Sequence, residues 1–169
     1  MVELGGFPIE TERKWILRKD PKIIQMPDAN YHIYQKYGID GWRYREQSEV
    51  SSFSIRNGID TFHPPVYYKT KKTPVGKGAN EEEEYVITKE EFDECGPVKS
   101  SISKFRRVYK IGELKFEVDV FEGIHLVILE VELRSLEQKF DMPDFLQKLI
   151  IYEVTGIKEF NNSSLSSVD

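Results

Sequence analysis

Apolar and polar residues alternate with period two over most of the chain. Residues 10–17, 33–35, 41–46, 66–71, 85–88, 102–110, 113–121 and 125–133 carry this pattern or cluster strand-forming residues. Period two sends successive side chains to opposite faces, so each segment is predicted to be a strand. They are rich in Tyr, Phe, Val and Ile, which suit a pleated surface. Gly112 lies between two of them and Glu122–Gly123 follows the second, marking tight turns. Connections this short imply antiparallel hairpins. Helical signals are fewer. Residues 20–25 could begin a helix. Thr88-Lys-Glu-Glu-Phe has an N-cap at Thr88 and Glu91 at the capping-box position. Over 143–155, Leu146, Leu149, Ile150 and Val154, with Met142 just before, fall near helical spacing. Gly156 would cap that helix. Residues 72–84, with Pro74, Gly76, Gly78 and four consecutive glutamates, read as a surface loop, and 161–169 as a loop or frayed end. The expected fold is mainly β (α+β): an antiparallel sheet of about eight strands with two or three peripheral helices.

Composition narrows the setting. At 169 residues the chain reads as one domain, 1–169, long enough to bury a core. A 12% aromatic content argues against disorder. No apolar run nears the roughly 18 residues of a membrane span. Residues 1–12 carry acids and no basic n-region, so no signal peptide is expected. Cys95 is the single cysteine. It excludes an internal disulfide and a cysteine-rich metal site, and it fits a reducing cytoplasm. A net charge of -5 makes a general nucleic-acid binder a poor expectation.

The distribution of charge says more than its sum. Residues i and i+2 of a strand share a face. Glu10, Glu12 and Lys14 therefore share one; so do Arg43 and Arg45, Lys69 and Lys71, Lys104 and Arg106, and Lys115, Glu117 and Asp119. Glu130 and Glu132 lie together opposite Leu129, Val131 and Leu133. An antiparallel sheet with one wet side would also put charges outward. A merely wet face mixes signs, however, and here they are sorted. The first and last strong strands carry carboxylates, and the middle strands carry Arg and Lys pairs. Paired carboxylates suit a hard divalent cation; Arg and Lys pairs suit phosphate oxygens. A ligand needing both is a polyphosphate or a nucleotide. Other chemistry is poorly supported. Cys95 has no histidine near it in sequence, His32, His63 and His125 have no metal-ligand spacing, and Gly76-Lys-Gly78 lacks the P-loop pattern.

The succession of these motifs resembles the CYTH superfamily, the triphosphate tunnel metalloenzymes. Glu10-Thr-Glu12-Arg-Lys14 is similar to its ExExK signature and Arg43-Tyr-Arg45 to its RxR. Tyr67-Tyr-Lys-Thr-Lys71 and the acidic pair Glu82 and Glu84 follow, then Lys104-Phe-Arg106 as KxR. Phe116-Glu-Val-Asp119-Val-Phe resembles its WEVDVF strand and Leu129-Glu130-Val-Glu132-Leu its closing EVEL. Glu153-Val-Thr-Gly156 and Asn162-Ser-Ser-Leu165 resemble its EVTG and N-x-x-L tail. The likeness runs from Glu10 to about Leu165. It departs at Asn80, where the family has Arg, and at Glu159-Phe160, where it has Arg-Tyr.

The resemblance implies a closed antiparallel eight-stranded tunnel barrel with a charged interior and its apolar residues packed outward under helices. It implies Mg²⁺ or Mn²⁺ on Glu10, Glu12, Asp119, Glu130 and Glu132. It implies phosphates clamped by Lys14, Arg43, Arg45, Lys69, Lys71, Lys104 and Arg106. Glu10, Glu12, Lys14, Glu130 and Glu132 would carry catalysis. The expected activity is metal-dependent hydrolysis of a linear triphosphate, first of all inorganic tripolyphosphate, with release of phosphate. A class IV adenylate cyclase, making cyclic AMP and pyrophosphate from ATP, and a non-catalytic polyphosphate or nucleotide binder are the alternatives. The partner would be tripolyphosphate, a nucleoside triphosphate or thiamine triphosphate, the expected location is the cytoplasm, and the oligomeric state, homodimer included, stays open.

Overall fold

The structure, a computed structural model, describes residues 3–4, 7–19, 25–51 and 61–167. Its strands are β1 (Glu3–Leu4), β2 (Phe7–Leu17), β3 (Ala29–Gly38), β4 (Arg43–Glu49) and β5 (Val66–Gly76). They continue as β6 (Ala79–Ile87), β7 (Val98–Ile111), β8 (Leu114–Phe121), β9 (Val127–Leu133) and β10 (Ile150–Glu153). Eight of them close a ring in the order β2-β6-β5-β4-β3-β7-β8-β9, with β9 pairing back onto β2. Neighbours in the ring are antiparallel, and β1 and β10 add to β2. A closed ring leaves no edge within the barrel to pair with another chain.

The barrel is inverted relative to most small ones, which fill their inside with apolar side chains. Its largest apolar cluster, with Trp15, Leu17, Phe116, Val118, Leu129 and Val131, lies on the outer face. That cluster is covered by Phe140, Met142 and the short helix α2 (Asp144–Gln147), which buries Leu146. A second outer cluster, Tyr44, Tyr67 and Ile87, is sealed by Phe92 of helix α1 (Lys89–Asp93). Thr88 caps α1, accepting from the Glu91 amide at 3.1 Å, as the sequence predicts. Inside, a small apolar cluster of Ile102, Phe121 and Ile128 closes one end of the barrel, with Phe160 and Leu165 packed on it.

The eight expected strands are all present, most of them longer than the alternation indicated. Three elements differ from expectation. Residues 72–84 are not a loop but the paired arms of the β5–β6 hairpin, turning at Lys77–Gly78. Residues 143–155 hold one helical turn and then β10, which pairs with Trp15–Leu17 of β2. Gly156 has φ +71° but caps a turn after a strand, not a helix. The tail is docked, through a 3₁₀ turn (Lys158–Phe160) and helix α3 (Asn162–Leu165), and Ser167 exchanges two 3.0 Å backbone bonds with Ser101. Of the expected helix start at 20–25, residues 20–24 lie outside the described residues and Gln25 is in a bend. Among the described residues no helix is long and apolar enough to cross a membrane.

Candidate functional site

The barrel encloses a cavity of about 530 Å³ lined mainly by charged and polar side chains. Its acidic wall is built by β2 and β9. Register sets Glu12 opposite Glu132 and Lys14 opposite Glu130, and across the next ladder Glu130 opposite Glu117. Directly opposed residues have Cβ atoms roughly 4.5–5.5 Å apart, and like charges there repel. Burial, and then Glu130 beside it, push the Glu12 carboxyl up to about 8 against the pull of Lys72 and Lys14. Glu10 is raised in the same sense, chiefly by burial, with Lys72 opposing. Burial also raises Glu132, with Glu10 and Glu117 adding to it. Glu130 goes the other way: burial would raise it, but Lys14, Arg106 and Lys104 hold it well below the usual range. Lys14 sits 3.5 Å from both Glu12 and Glu130. Lys72 reaches Glu10 at 3.2 Å and Glu82 at 3.7 Å.

The outer side of β2 explains why this wall is fixed. β6 pairs with β2 only through Thr11. At that point other groups take over the β2 backbone. The Glu12 amide donates to the Gly78 carbonyl at 3.0 Å, the Lys14 amide to Thr155 Oγ1 at 2.9 Å, and Val154 donates to the Lys14 carbonyl at 2.8 Å. Arg13, facing outward, grips Glu153 through two bonds of 2.6 and 2.8 Å. The Glu153-Val-Thr-Gly156 segment is thus a clasp behind the acidic wall.

The basic wall comes from β4. Arg43 and Arg45 point inward, with Tyr44 outward in the α1 cluster. Arg45 meets Glu84 at 3.0 Å, and Arg43 lies 3.9 Å from the same oxygen. The Nε atoms of both arginines are buried with no hydrogen-bond partner. Burial, with Arg43 and Arg106 alongside, lowers Arg45 to about 10 even though Glu84 is present. This wall carries more positive charge than the protein itself compensates, and unpaired buried donors are costly unless a ligand engages them.

Between the walls lies a buried ion-pair cluster. Lys104 and Asp119 are 1% and 0% exposed and 2.7 Å apart. Arg106 grips Asp119 through Nε and Nη2 at 2.7 and 2.8 Å, and its Nη1 lies 3.2 Å from Glu117. Burial alone would raise the Asp119 carboxyl, but Arg106 and Lys104 hold it below the usual range. Lys104 also donates to Asn162 Oδ1 of α3 at 3.2 Å, tying the tail to this cluster.

Of the residues singled out in the sequence, Glu10, Glu12, Lys14, Arg43, Arg45, Arg106, Glu130 and Glu132 line the cavity. Lys69 and Lys71 do not. They lie on the outer face of β5 with Tyr67, their ammonium groups 4.9 and 5.7 Å from the Trp42 ring. The inward parity of β5 is Thr70, Lys72 and Pro74. Asp119 and Lys104 sit behind the lining, and both Asp119 oxygens are engaged by cations. Thr70, Lys72, Glu82, Glu84 and Glu117 line the cavity as well. Extending the strand parity of 66–71 by one residue finds Lys72 beside Thr70, extending 85–88 back to 82 puts the acidic pair Glu82 and Glu84 on one face, and Glu117 already shares the face read for Lys115 and Asp119.

No family model and no curated protein matches the chain. Solved structures do. The chain is similar to the hypothetical protein NE1496, at 24% identity over 95% of this chain and 99% of that one, with a TM-score of 0.53. It is similar to the inorganic triphosphatase NE1496, at 22% identity over 93% of each, TM-score 0.52. It is also similar to the PH1819 protein from Pyrococcus horikoshii OT3, at 18% identity over 82% and 85%, TM-score 0.50. The shared fold is a closed, eight-stranded antiparallel tunnel barrel. In this tunnel barrel the eight-stranded ring, the charged lumen and the outward apolar packing all take the form that the motifs implied.

Proposed function

We propose that the protein is a divalent-metal-dependent hydrolase of linear triphosphates, acting first of all on inorganic tripolyphosphate and releasing phosphate. The observation that carries this reading is the separation of charge inside one cavity. Mutually repelling carboxylates line one wall, and under-compensated arginines with orphaned Nε atoms line the other. Each wall calls for a counter-ion of the opposite sign, and a metal–polyphosphate supplies both.

Among the described residues no three acidic, histidine or cysteine side chains already form a cation cage. The donor set nevertheless fits a hard cation: the opposed carboxylates are all oxygen donors, and Glu82 Oε2 is buried without a hydrogen bond, with the Lys72 ammonium 3.7 Å away. Glu10, Glu12, Glu130 and Glu132 would hold Mg²⁺ or Mn²⁺. Asp119 is left out of this set because Arg106 and Lys104 already occupy it. A bound ion supplies charge neutralisation at phosphate oxygens and an activated water. The chain does the rest. Arg43 and Arg45 bind and orient the anion, Lys14 and Lys72 place positive charge between carboxylates and phosphates, and Asp119 fixes Arg106 toward the lumen. Positioning and electrostatics supply most of the rate in phosphoryl transfer, so no covalent nucleophile is required.

The test is a product assay with tripolyphosphate, ATP and thiamine triphosphate under Mg²⁺, Mn²⁺ or chelator. Metal-dependent orthophosphate release is expected, with turnover of Glu130→Gln reduced at least ~100-fold. Undiminished activity in chelator would remove the metal role. Cyclic AMP as the main product from ATP would replace the hydrolase by the cyclase.

A further inference from the structure

Glu84 holds an unusual place for a carboxylate in a cavity built to receive anions. It lies on the inward parity of β6, opposite Thr70 of β5. One of its oxygens, Oε1, takes three partners. Arg45 Nη2 donates to it at 3.0 Å and the Thr70 hydroxyl at 2.9 Å, while Arg43 Nη2 stands 3.9 Å away. Thr70 is itself 2% exposed and accepts from Arg43 Nη2 at 3.3 Å. Two guanidinium groups and a buried hydroxyl converging on one anionic oxygen are what a phosphoryl oxygen would be given. Glu84 remains about one-third exposed, so its side chain has room to leave.

We propose that Glu84 is a resident competitor: its carboxylate occupies the seat of a phosphoryl group between Arg43, Arg45 and Thr70, and an incoming anion must displace it. This rests on reading the cavity as a triphosphate site. A competitor carried by the same chain lowers the affinity of every anion that uses the seat by one common factor, the fraction of time the seat is free. Any carboxylate in the lumen also repels anions through its field, but that effect grows with the charge of the ligand. The two can therefore be told apart. Glu82, two residues away on the same parity, carries the same charge and faces Lys72 instead of the arginines.

The experiment is calorimetric titration of the full chain in chelator with pyrophosphate and with tripolyphosphate, for the native protein, Glu84→Gln, Glu84→Asp and Glu82→Gln. Glu84→Gln is expected to tighten both anions by the same factor, on the order of tenfold, the scale of one charge-assisted hydrogen bond. Glu84→Asp keeps the charge but withdraws it by one methylene, and should also gain for both anions. Glu82→Gln should gain less, and more for tripolyphosphate than for pyrophosphate. The proposal is overturned if Glu84→Gln binds no tighter or more weakly than native, which would make Glu84 a positioning residue for the arginines. It is equally overturned if the gain in Glu84→Gln scales with ligand charge as in Glu82→Gln, or if Glu84→Asp shows none. A native chain that binds neither anion in chelator, nor either of them when Mg²⁺ is added, would instead remove the triphosphate reading, and this proposal with it.

Discussion

Glu12 concentrates the electrostatic conflict of the site in one side chain. It is almost buried, opposed by Glu132 across the ladder, and pushed up to about 8 by burial and Glu130. In the folded, cation-free protein it keeps its proton up to about that pH, whereas in the unfolded chain it ionises near the ordinary value of 4.5. Between these two values the folded state binds more protons than the unfolded one, so stability falls as pH rises and levels off above the upper value. Glu10, Glu117 and Glu132 are raised too and act in the same direction. Glu130 is lowered, so its contribution is present above the ordinary carboxylate pKa and is lost only below it, outside this window. Melting temperatures in chelator should therefore decline from about pH 5 to about pH 8, with a shallower decline in Glu12→Gln. Equal slopes in the two proteins would mean that Glu12 is not forced to hold its proton.

The β5–β6 hairpin shows how an element can position a site while escaping notice in the sequence. Its turn residue Gly78 has φ +66°, and a Cβ there would stand 2.8 Å from the Glu12 carbonyl oxygen. Gly112 turns the β7–β8 hairpin at φ +60° with nothing within 4 Å of such a Cβ. Alanine at either position incurs left-handed strain of roughly 1–2 kcal/mol. Only Gly78→Ala also pushes the turn off Glu12. Both variants should lose a few degrees in melting temperature, on the order of 2–4 °C per kcal/mol at this size. Turnover on tripolyphosphate should fall in Gly78→Ala and hold in Gly112→Ala; equal losses would mean that the hairpin does not position Glu12.

Strands such as β8 and β9 were legible because one face is apolar and packs on the outer core. The arms of this hairpin were not. Lys72, Glu82 and Glu84 face a wet lumen, and Lys71, Glu83 and Val75 face solvent, so the hydrophobic alternation vanishes. Parity alone also cannot say which of two faces is inner. Parity therefore pairs Lys69 with Lys71, but that shared face is the outer one. The apolar spacing over 143–155 is genuine, but most of it serves the outer cluster from an irregular cover. The helix ends after one turn, because Trp15–Leu17 of β2, left open where β6 departs, accept β10.

For the whole molecule, stability and function are divided between the two surfaces of one closed sheet. Apolar packing lies outside, under α1 and the 136–150 segment, so the interior is free to carry charges that a conventional core would exclude. The docked tail and the Ile102–Phe121–Ile128 cluster close one end, leaving a deep polar chamber. In the proposed function this chamber, and not the outer charged surface, grips a metal–triphosphate. Melting temperature with and without Mg²⁺ and tripolyphosphate tests it in the native chain, in Arg45→Ala, and in the outer-face double variant Lys69→Ala/Lys71→Ala. A ligand bound only by the folded state raises the native melting temperature by mass action. Loss of the inward charge-assisted contact should weaken binding roughly 10- to 150-fold and shrink the shift in Arg45→Ala, whereas the outer lysines should leave it at the native size. An undiminished shift in Arg45→Ala, or its loss in the lysine variant, would contradict the account.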